Sequence, residues 1–314
     1  MRIGGDTGGF SEPKVISHSE KSIAGQNESD VQDAVVRTGA IYEKSDKTEI
    51  KYRTYNADGT VNGMHISRSL SSNQSIQSAL KTLGFYYGTY DGSLTTDASK
   101  KAIRNFQTVY GLDCTGTMNQ ATLSKLDLVD GFRNRAANIL RENSNNTLVK
   151  GLDYYEKENY ANIWAFLRLG MKLDATHASA VMANIKAESG FSSDNLRDTE
   201  TNKNHHDTDY VYKSEDGKAY GILQWAAEIR KTGLKNQAEN MGLECSNLNA
   251  QLAYFRTEMN TASLYKTQWS VFKSKNTLNE ATDYFLDEIE DPEVNNFDER
   301  RNYADQIYQL MYKL

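Results

Sequence analysis

Two stretches, Ile185-Lys186-Ala187-Glu188-Ser189-Gly190-Phe191 and Ala219-Tyr220-Gly221-Ile222-Leu223-Gln224-Trp225, decide the reading of this 314-residue chain. The first closes a helix expected over 174–189, whose Ala180, Met182, Ala183, Ile185 and Ala187 are small or apolar. A helix apolar on more than one side is buried, and Gly190 is placed to end it in a left-handed turn. Glu188 therefore stands at the carboxyl end of a buried helix. A glutamate near a helix end is ordinarily a solvated charge. Here partial loss of solvent and the negative helix terminus both disfavour the ionised form. A carboxyl that keeps its proton near neutrality is what protonation of a leaving oxygen requires. The second stretch groups Tyr220, Gln224 and Trp225 around Gly221. Gln224 offers a donor and an acceptor, and Trp225 an apolar face with one N–H, although Trp225 reads equally as core.

Working outward, the second half of the chain is expected to be mostly helical. Helices are expected over 160–169, 226–241, 248–260, 278–288 and 300–312, with Gly170 as another stop. The run His205-His206-Asp207-Thr208-Asp209-Tyr210-Val211-Tyr212 reads as a loop followed by a strand, and its paired histidines as solvated rather than metal-bound. Upstream, Asn143-Ser144-Asn145-Asn146 punctuates the chain after a connecting helix over 129–142. Residues 73–128 form a separate unit. Ile76, Leu80 and Leu83 share a helical face that Gly84 ends, a second helix begins near Thr96-Asp97, and a short third spans 121–126. Before it, Ile50, Tyr52 and Thr54 alternate with polar residues. With the Ala57-Asp58-Gly59 turn and the 61–66 return they read as a hairpin too small to stand alone. Residues 1–45 are polar and without periodicity, the pattern of a flexible tail or an adaptor.

Composition narrows the function. The chain is 38% hydrophobic and 25% charged, an ordinary globular profile, and its net charge of −6 argues against nucleic acid as a partner. No run approaches the roughly 18 apolar residues that span a bilayer, so stable membrane insertion is not expected. No apolar core of a signal peptide is visible near Met1. Synthesis in the cytoplasm is then expected, with delivery by another route. Cys114 and Cys245 read as two reduced thiols. The five histidines (His18, His65, His177, His205 and His206) show no zinc-ligand spacing, so neither metal nor cofactor is expected.

Two resemblances sharpen this. Ile76-Gln77-x-x-Leu80, Leu83-Gly84-Phe85-Tyr86-x-Gly88, Tyr90-Asp91-Gly92, Ala102-Ile103-x-x-Phe106-Gln107, Gly111-Leu112, Thr115-Gly116 and Ala121-Thr122-Leu123 resemble the peptidoglycan-binding domain 1 family. Ser93-Leu94-Thr95-Thr96 stand where that pattern has another glycine. The resemblance implies a three-helix module holding cell-wall polymer. Tyr90, Asp91 and Gln107 are the candidate contacts, while Leu80, Leu83, Ile103 and Phe106 are core. The module's charges nearly balance, so attraction by charge alone is not the mechanism.

From about Asn162 onward the chain resembles the phage tail lysozyme family of the lysozyme-like superfamily. The matching marks are Ala180-x-x-x-Asn184-Ile185, Glu188-Ser189-Gly190-Phe191, Tyr220 to Trp225, Gln251-Leu252 with Tyr254, and the 285–292 element. The resemblance implies a peptidoglycan hydrolase (muramidase) that cuts the β-1,4 bond between N-acetylmuramic acid and N-acetylglucosamine. Glu188 would be the acid, with Ser189, Tyr220, Gln224 and Trp225 binding the saccharide. The expected fold is mainly α. A tail with a hairpin (1–70) precedes a three-helix wall-binding module (71–128), a connecting helix and linker (129–149), and an α-rich lysozyme-like domain with a small β element (150–314). A hydrolase using two carboxylates needs a partner for Glu188, and Asp207 and Asp209 are the candidates. Without one, a lytic transglycosylase closing a 1,6-anhydro ring is the alternative. A non-catalytic wall-binding structural protein and a Cys245 peptidase are further alternatives. Bacterial peptidoglycan is the expected partner. A phage tail or injection particle, engaged through residues 1–70, is the expected carrier to the wall.

Overall fold

The computed structural model describes residues 40–44, 49–55, 61–68, 70–198, 203–206, 210–261, 263–290 and 296–314. It is mainly α, as the apolar spacings predict. Expectations resting on residues 1–39 lie outside the described residues.

Three antiparallel strands, β1 (Ala40–Lys44), β2 (Glu49–Tyr55) and β3 (Val61–Arg68), open the described chain. β2 and β3 are the expected hairpin, paired with Tyr52 opposite His65. β1 extends it within a stretch expected to lack structure. Its AIYEK sequence is too short for an alternation to register, and pairing to β2 supplies what local pattern does not.

The helical module follows. α1 (Asn73–Thr82) starts at Ser72, which forms a reciprocal cap with Ser75. α2 (Asp97–Tyr110) is capped by Thr96 and ends at Gly111 in the left-handed conformation. The expected short third helix and the connecting helix are one helix, α3 (Gln120–Glu142). It continues because Leu126, Val129, Phe132, Ala136, Ile139 and Leu140 keep one side buried along its whole length. The module is therefore not strung on a loose linker. Phe85, Phe106, Tyr110, Phe166 and Phe255 make successive ring contacts at 4.8–6.4 Å, carrying one apolar core from the module into the C-terminal domain. Main-chain oxygens fasten the junction. Asn249 donates to Leu83 O at 2.9 Å and Asn105 to Met241 O at 3.2 Å.

After the single turn α4 (Thr147–Lys150), α5 (Tyr154–Ala165) begins earlier than its apolar spacing suggests, because Asp153 and Glu156 cap it reciprocally. It passes into a π-helical turn over 166–170 rather than stopping at Gly170. α6 (Ala175–Ser189) is the central helix. Its Ala178, Ala180, Val181, Met182 and Ala183 are fully buried, and the small alanines among them let α10 (Leu278–Phe285) and α11 (Phe297–Met311) pack closely on it. α7 (Glu228–Met241) and α8 (Leu248–Thr261) pair beside it. α9 (Ser263–Phe272) was not expected, since its aromatic and β-branched residues are weak helix formers. Burial of Trp269 and Phe272, stacked 4.9 Å apart, offsets that preference. The small β element is a hairpin of β4 (Asn195–Asp198) and β5 (Lys203–His206). The strand thus lies before the 207–209 segment, and 210–212 is not a strand, contrary to the expected loop-then-strand order. Among the described residues no helix is long and apolar enough to cross a membrane.

Candidate active site

Glu188 lies in the last turn of α6, where the helix leaves the core, and its side chain is 17% exposed. Gly190 then turns the chain in the left-handed region (φ +63°), as its position predicts. Phe191 follows with φ +77°, a strained value for an aromatic residue. It is held there by full burial, by Tyr160 at 4.9 Å and by Asn159 donating to its carbonyl at 2.9 Å. Backbone strain therefore sits beside Glu188.

The 219–225 turn is fastened to this corner through main-chain groups. Ser189 is buried, and its Oγ donates to Ile185 O and Ile222 O, both at 3.1 Å. Tyr220 is buried too, with main-chain bridges to Leu196 and Trp225. Fully buried Gln251 of α8 accepts from Ile222 N at 2.9 Å and donates to Ser193 O and Cys245 O. Gly221 is required here: its φ is +83°, and a Cβ would stand 2.8 Å from the Gln251 amide. Gln224, itself at φ +43°, donates to Asn195 O and Gly221 O, while its buried Oε1 has no hydrogen-bond partner among the described residues. The corner is a rigid assembly of buried amides.

Trp225 departs from the expected role. It is fully buried against Tyr254, with Nε1 donating to Glu258 at 3.3 Å, so its face packs in the core and is not presented to a saccharide. Ser189 and Tyr220 are also placed as struts. Asp207 and Asp209 lie outside the described residues.

The electrostatics around Glu188 differ from the sequence expectation. The expected influences were lost solvent and the helix terminus, both favouring the protonated form. The structure adds Arg300 of α11, which pairs with the Glu188 carboxylate and donates to Asn184 Oδ1 at 2.9 Å. A second buried ion pair lies near. Arg230 of α7 grips Glu258 of α8 through two bonds at 2.8 and 3.0 Å, and donates to Ile289 O at 3.2 Å. Glu290 ends the π-helical turn over 286–290 among these groups. Burial first, then the Glu188 charge, push its carboxyl up to about 8, against the pull of Arg230 and Arg300. Sequence reasoning missed Arg300, Arg230, Glu258 and Glu290. Each sits on a different element, and an isolated charge on a helix carries no local mark of its partner.

Cys245 is buried, and burial raises its thiol to about 11, far from an activated nucleophile. His177 bonds to Asp174 at the start of α6.

In the N-terminal module, Gln107 is fully buried rather than free to touch polymer. It donates to Thr115, Thr117 O and Thr122 and accepts from Gly116 N at 2.8 Å, organising the 111–119 loop. Gln77 does the same for the Asp91-Gly92 turn, accepting from Gly92 N at 3.0 Å and donating to Asp91 at 2.7 Å. That bond, with Ser93 N, holds the Asp91 carboxyl below the usual range. Tyr90 is 46% exposed, with the Lys81 ammonium 5.1 Å from its ring centre.

Residues 158–311 match the family model described as phage tail lysozyme, and residues 71–126 match that of a peptidoglycan binding domain. The two matches fall in the order and the places that the motifs mark out. No curated protein and no solved structure matches the chain.

Proposed function

We propose that a chain joining a peptidoglycan-binding-type module to a phage tail lysozyme-type domain is a muramidase, with Glu188 protonating the glycosidic oxygen. The two matches support a lysozyme-like protein acting on peptidoglycan. The cleaved bond and the acid are our reading. The observation that carries it is the position of Glu188: a carboxyl emerging at the end of the central buried helix, beside strained backbone and the buried-amide corner. A scaffold without catalysis has no need to hold a half-buried carboxylate on Arg300. The unpartnered Gln224 Oε1 is an acceptor suited to an N-acetyl N–H.

Digestion of purified peptidoglycan by the wild type and by Glu188→Gln, with products identified by mass spectrometry, tests this. Reducing-end muramic acid that disappears in the variant is the expected result. 1,6-Anhydro products would make the protein a lytic transglycosylase. Equal digestion by both proteins, or peptide-bond cleavage, would refute the assignment. Asp207→Asn and Asp209→Asn in the same assay test the proposed second carboxylate, whose loss should abolish hydrolysis.

Wall attachment is proposed to run through Tyr90, with Asp91 shaping the turn and Gln107 acting from inside. Tyr90→Ala is expected to reduce co-sedimentation with peptidoglycan without moving Tm. Gln107→Ala, which strands Gly116 N and the 115–122 hydroxyls, is expected to cost about 2–3 kcal/mol in stability. The assignment fails if Tyr90→Ala binds the wall as well as the wild type. Carriage by a tail-like particle through residues 1–70 belongs to the same reading. It would be refuted by unchanged particle incorporation after those residues are deleted.

A further inference from the structure

A helix end leaves its last carbonyls without partners inside the helix. At the junction of the two segments these partners are exchanged. α1 of the module ends at Leu83, whose carbonyl accepts from Asn249 of α8 at 2.9 Å. α7 of the lysozyme-type domain ends at Met241 and Gly242. Their carbonyls accept from Asn105 at 3.2 Å and from the Lys101 ammonium at 2.6 Å, both on α2 of the module. A cation at that end also suits the helix dipole. Asn105 and Asn249 are buried, so removing either segment strands a buried amide on the other.

Close backbone approach makes the fit specific. Gly111, the left-handed end of α2, lies against the Arg256 guanidinium of α8 and leaves no room for a Cβ. Arg256 in turn donates to Gly170 O at 2.7 Å, tying the end of α2 to the π-helical turn over 166–170. Tyr110 meets Phe166 of that turn at 6.4 Å, and Asn247 donates to Tyr87 OH at 2.9 Å. α3 belongs to both segments. The peptidoglycan-binding match ends at residue 126, yet the helix runs on to Glu142. There Arg133 donates to Asn162 of α5 at 3.1 Å and pairs with Glu158. Segments that share a small polar surface move against each other, and a buried, apolar junction removes that freedom.

We propose that the module has a second function besides the wall attachment argued above. Its α2 face and 83–87 corner form an internal interface that completes the lysozyme-type domain, so the two segments fold and unfold as one unit. The interface itself rests on the fold alone. Its consequence for cleavage rests on the muramidase reading. A lesion in the module core then weakens the catalytic domain directly, even toward soluble glycan fragments that need no attachment to the wall.

The test uses the full chain, in which all three tryptophans, Trp164, Trp225 and Trp269, lie in the lysozyme-type domain. Their fluorescence therefore reports on that domain and not on the module. Ile103 is fully buried in the module, and it stands two positions from Lys101 and from Asn105, so it does not face the junction with them. Ile103→Ala should lower the midpoint of the tryptophan transition by at least about 4 °C. Ile103→Val, the milder variant, should lower it by about 2 °C. A tryptophan midpoint within about 1 °C of wild type in both variants, while calorimetry shows an earlier transition of the module, overturns the proposal. Two separate transitions in wild-type calorimetry overturn it whether or not either variant folds. On soluble glycan fragments, the temperature at which cleavage is lost should move with the tryptophan midpoint. Coupled unfolding in a protein that cuts no glycan leaves the internal interface standing and refutes the muramidase reading instead.

Discussion

Glu188→Gln is expected to lower glycan cleavage by about 100- to 10,000-fold, the range that a positioned general acid contributes. The substitution keeps the shape of the side chain and an oxygen for Arg300 to bond. It removes only the capacity to give up a proton. Arg300 also keeps its bonds to Asn184, through Oδ1 at 2.9 Å and the carbonyl at 3.4 Å. The stability loss should therefore be modest, about 1 kcal/mol, or a Tm lowered by roughly 2–4 °C. Initial rates on purified peptidoglycan together with a melting curve separate the two effects. Residual activity above about a tenth of wild type would remove Glu188 from the acid role. Loss of activity with a collapsed melting transition would point to unfolding, and Glu188→Asp would then be the informative variant.

Glu258→Ala should produce the largest stability change. The Glu258 side chain is 2% exposed and that of Arg230 11%, so the pair is among the most enclosed in the molecule. Removing the carboxylate leaves a buried guanidinium without its bidentate partner, and strands Tyr254 OH and Trp225 Nε1 as well. Breaking one side of a buried pair costs about 3–5 kcal/mol. Arg230 keeps its bond to Ile289 O at 3.2 Å, which sets the expectation at the lower end, about 3 kcal/mol, or a Tm lowered by roughly 10 °C. Glu258→Gln, which keeps one acceptor, should fall between the variant and the wild type. A Tm within about 2 °C of wild type for Glu258→Ala would mean that Arg230 finds another partner.

These two variants act on different parts of one charge cluster, and the way that cluster is built explains what could be read in advance. Repeating apolar residues on one face, Gly111 and Gly190 at helix ends, and Ser72 or Thr96 before helix starts are local signals. Backbone geometry constrains residues a few positions apart, so one strand of sequence suffices to report them. Glu188 and the Gly221 to Gln224 turn were legible for the same reason. Each pairs a chemically distinctive side chain with a glycine whose conformation the neighbouring residues demand.

What the amino-acid sequence determined by itself is thus the helical character of the chain, its two successive motif-bearing segments and the one carboxyl at the end of its most apolar helix. Tertiary structure decided the rest. It turned Trp225 and Gln107 inward, because a ring or an amide with neighbours on all sides gains more from burial and internal hydrogen bonds than from solvent. It ran α3 unbroken between the two segments, because apolar partners line its whole length. It also brought Arg300 onto Glu188 across 112 residues of sequence, with Arg230, Glu258 and Glu290 around them. Electrostatic interaction depends on distance through space and on excluded water, neither of which is written in the order of residues. The position of Glu188 was therefore legible in the chain, and the charged groups around it only in the fold.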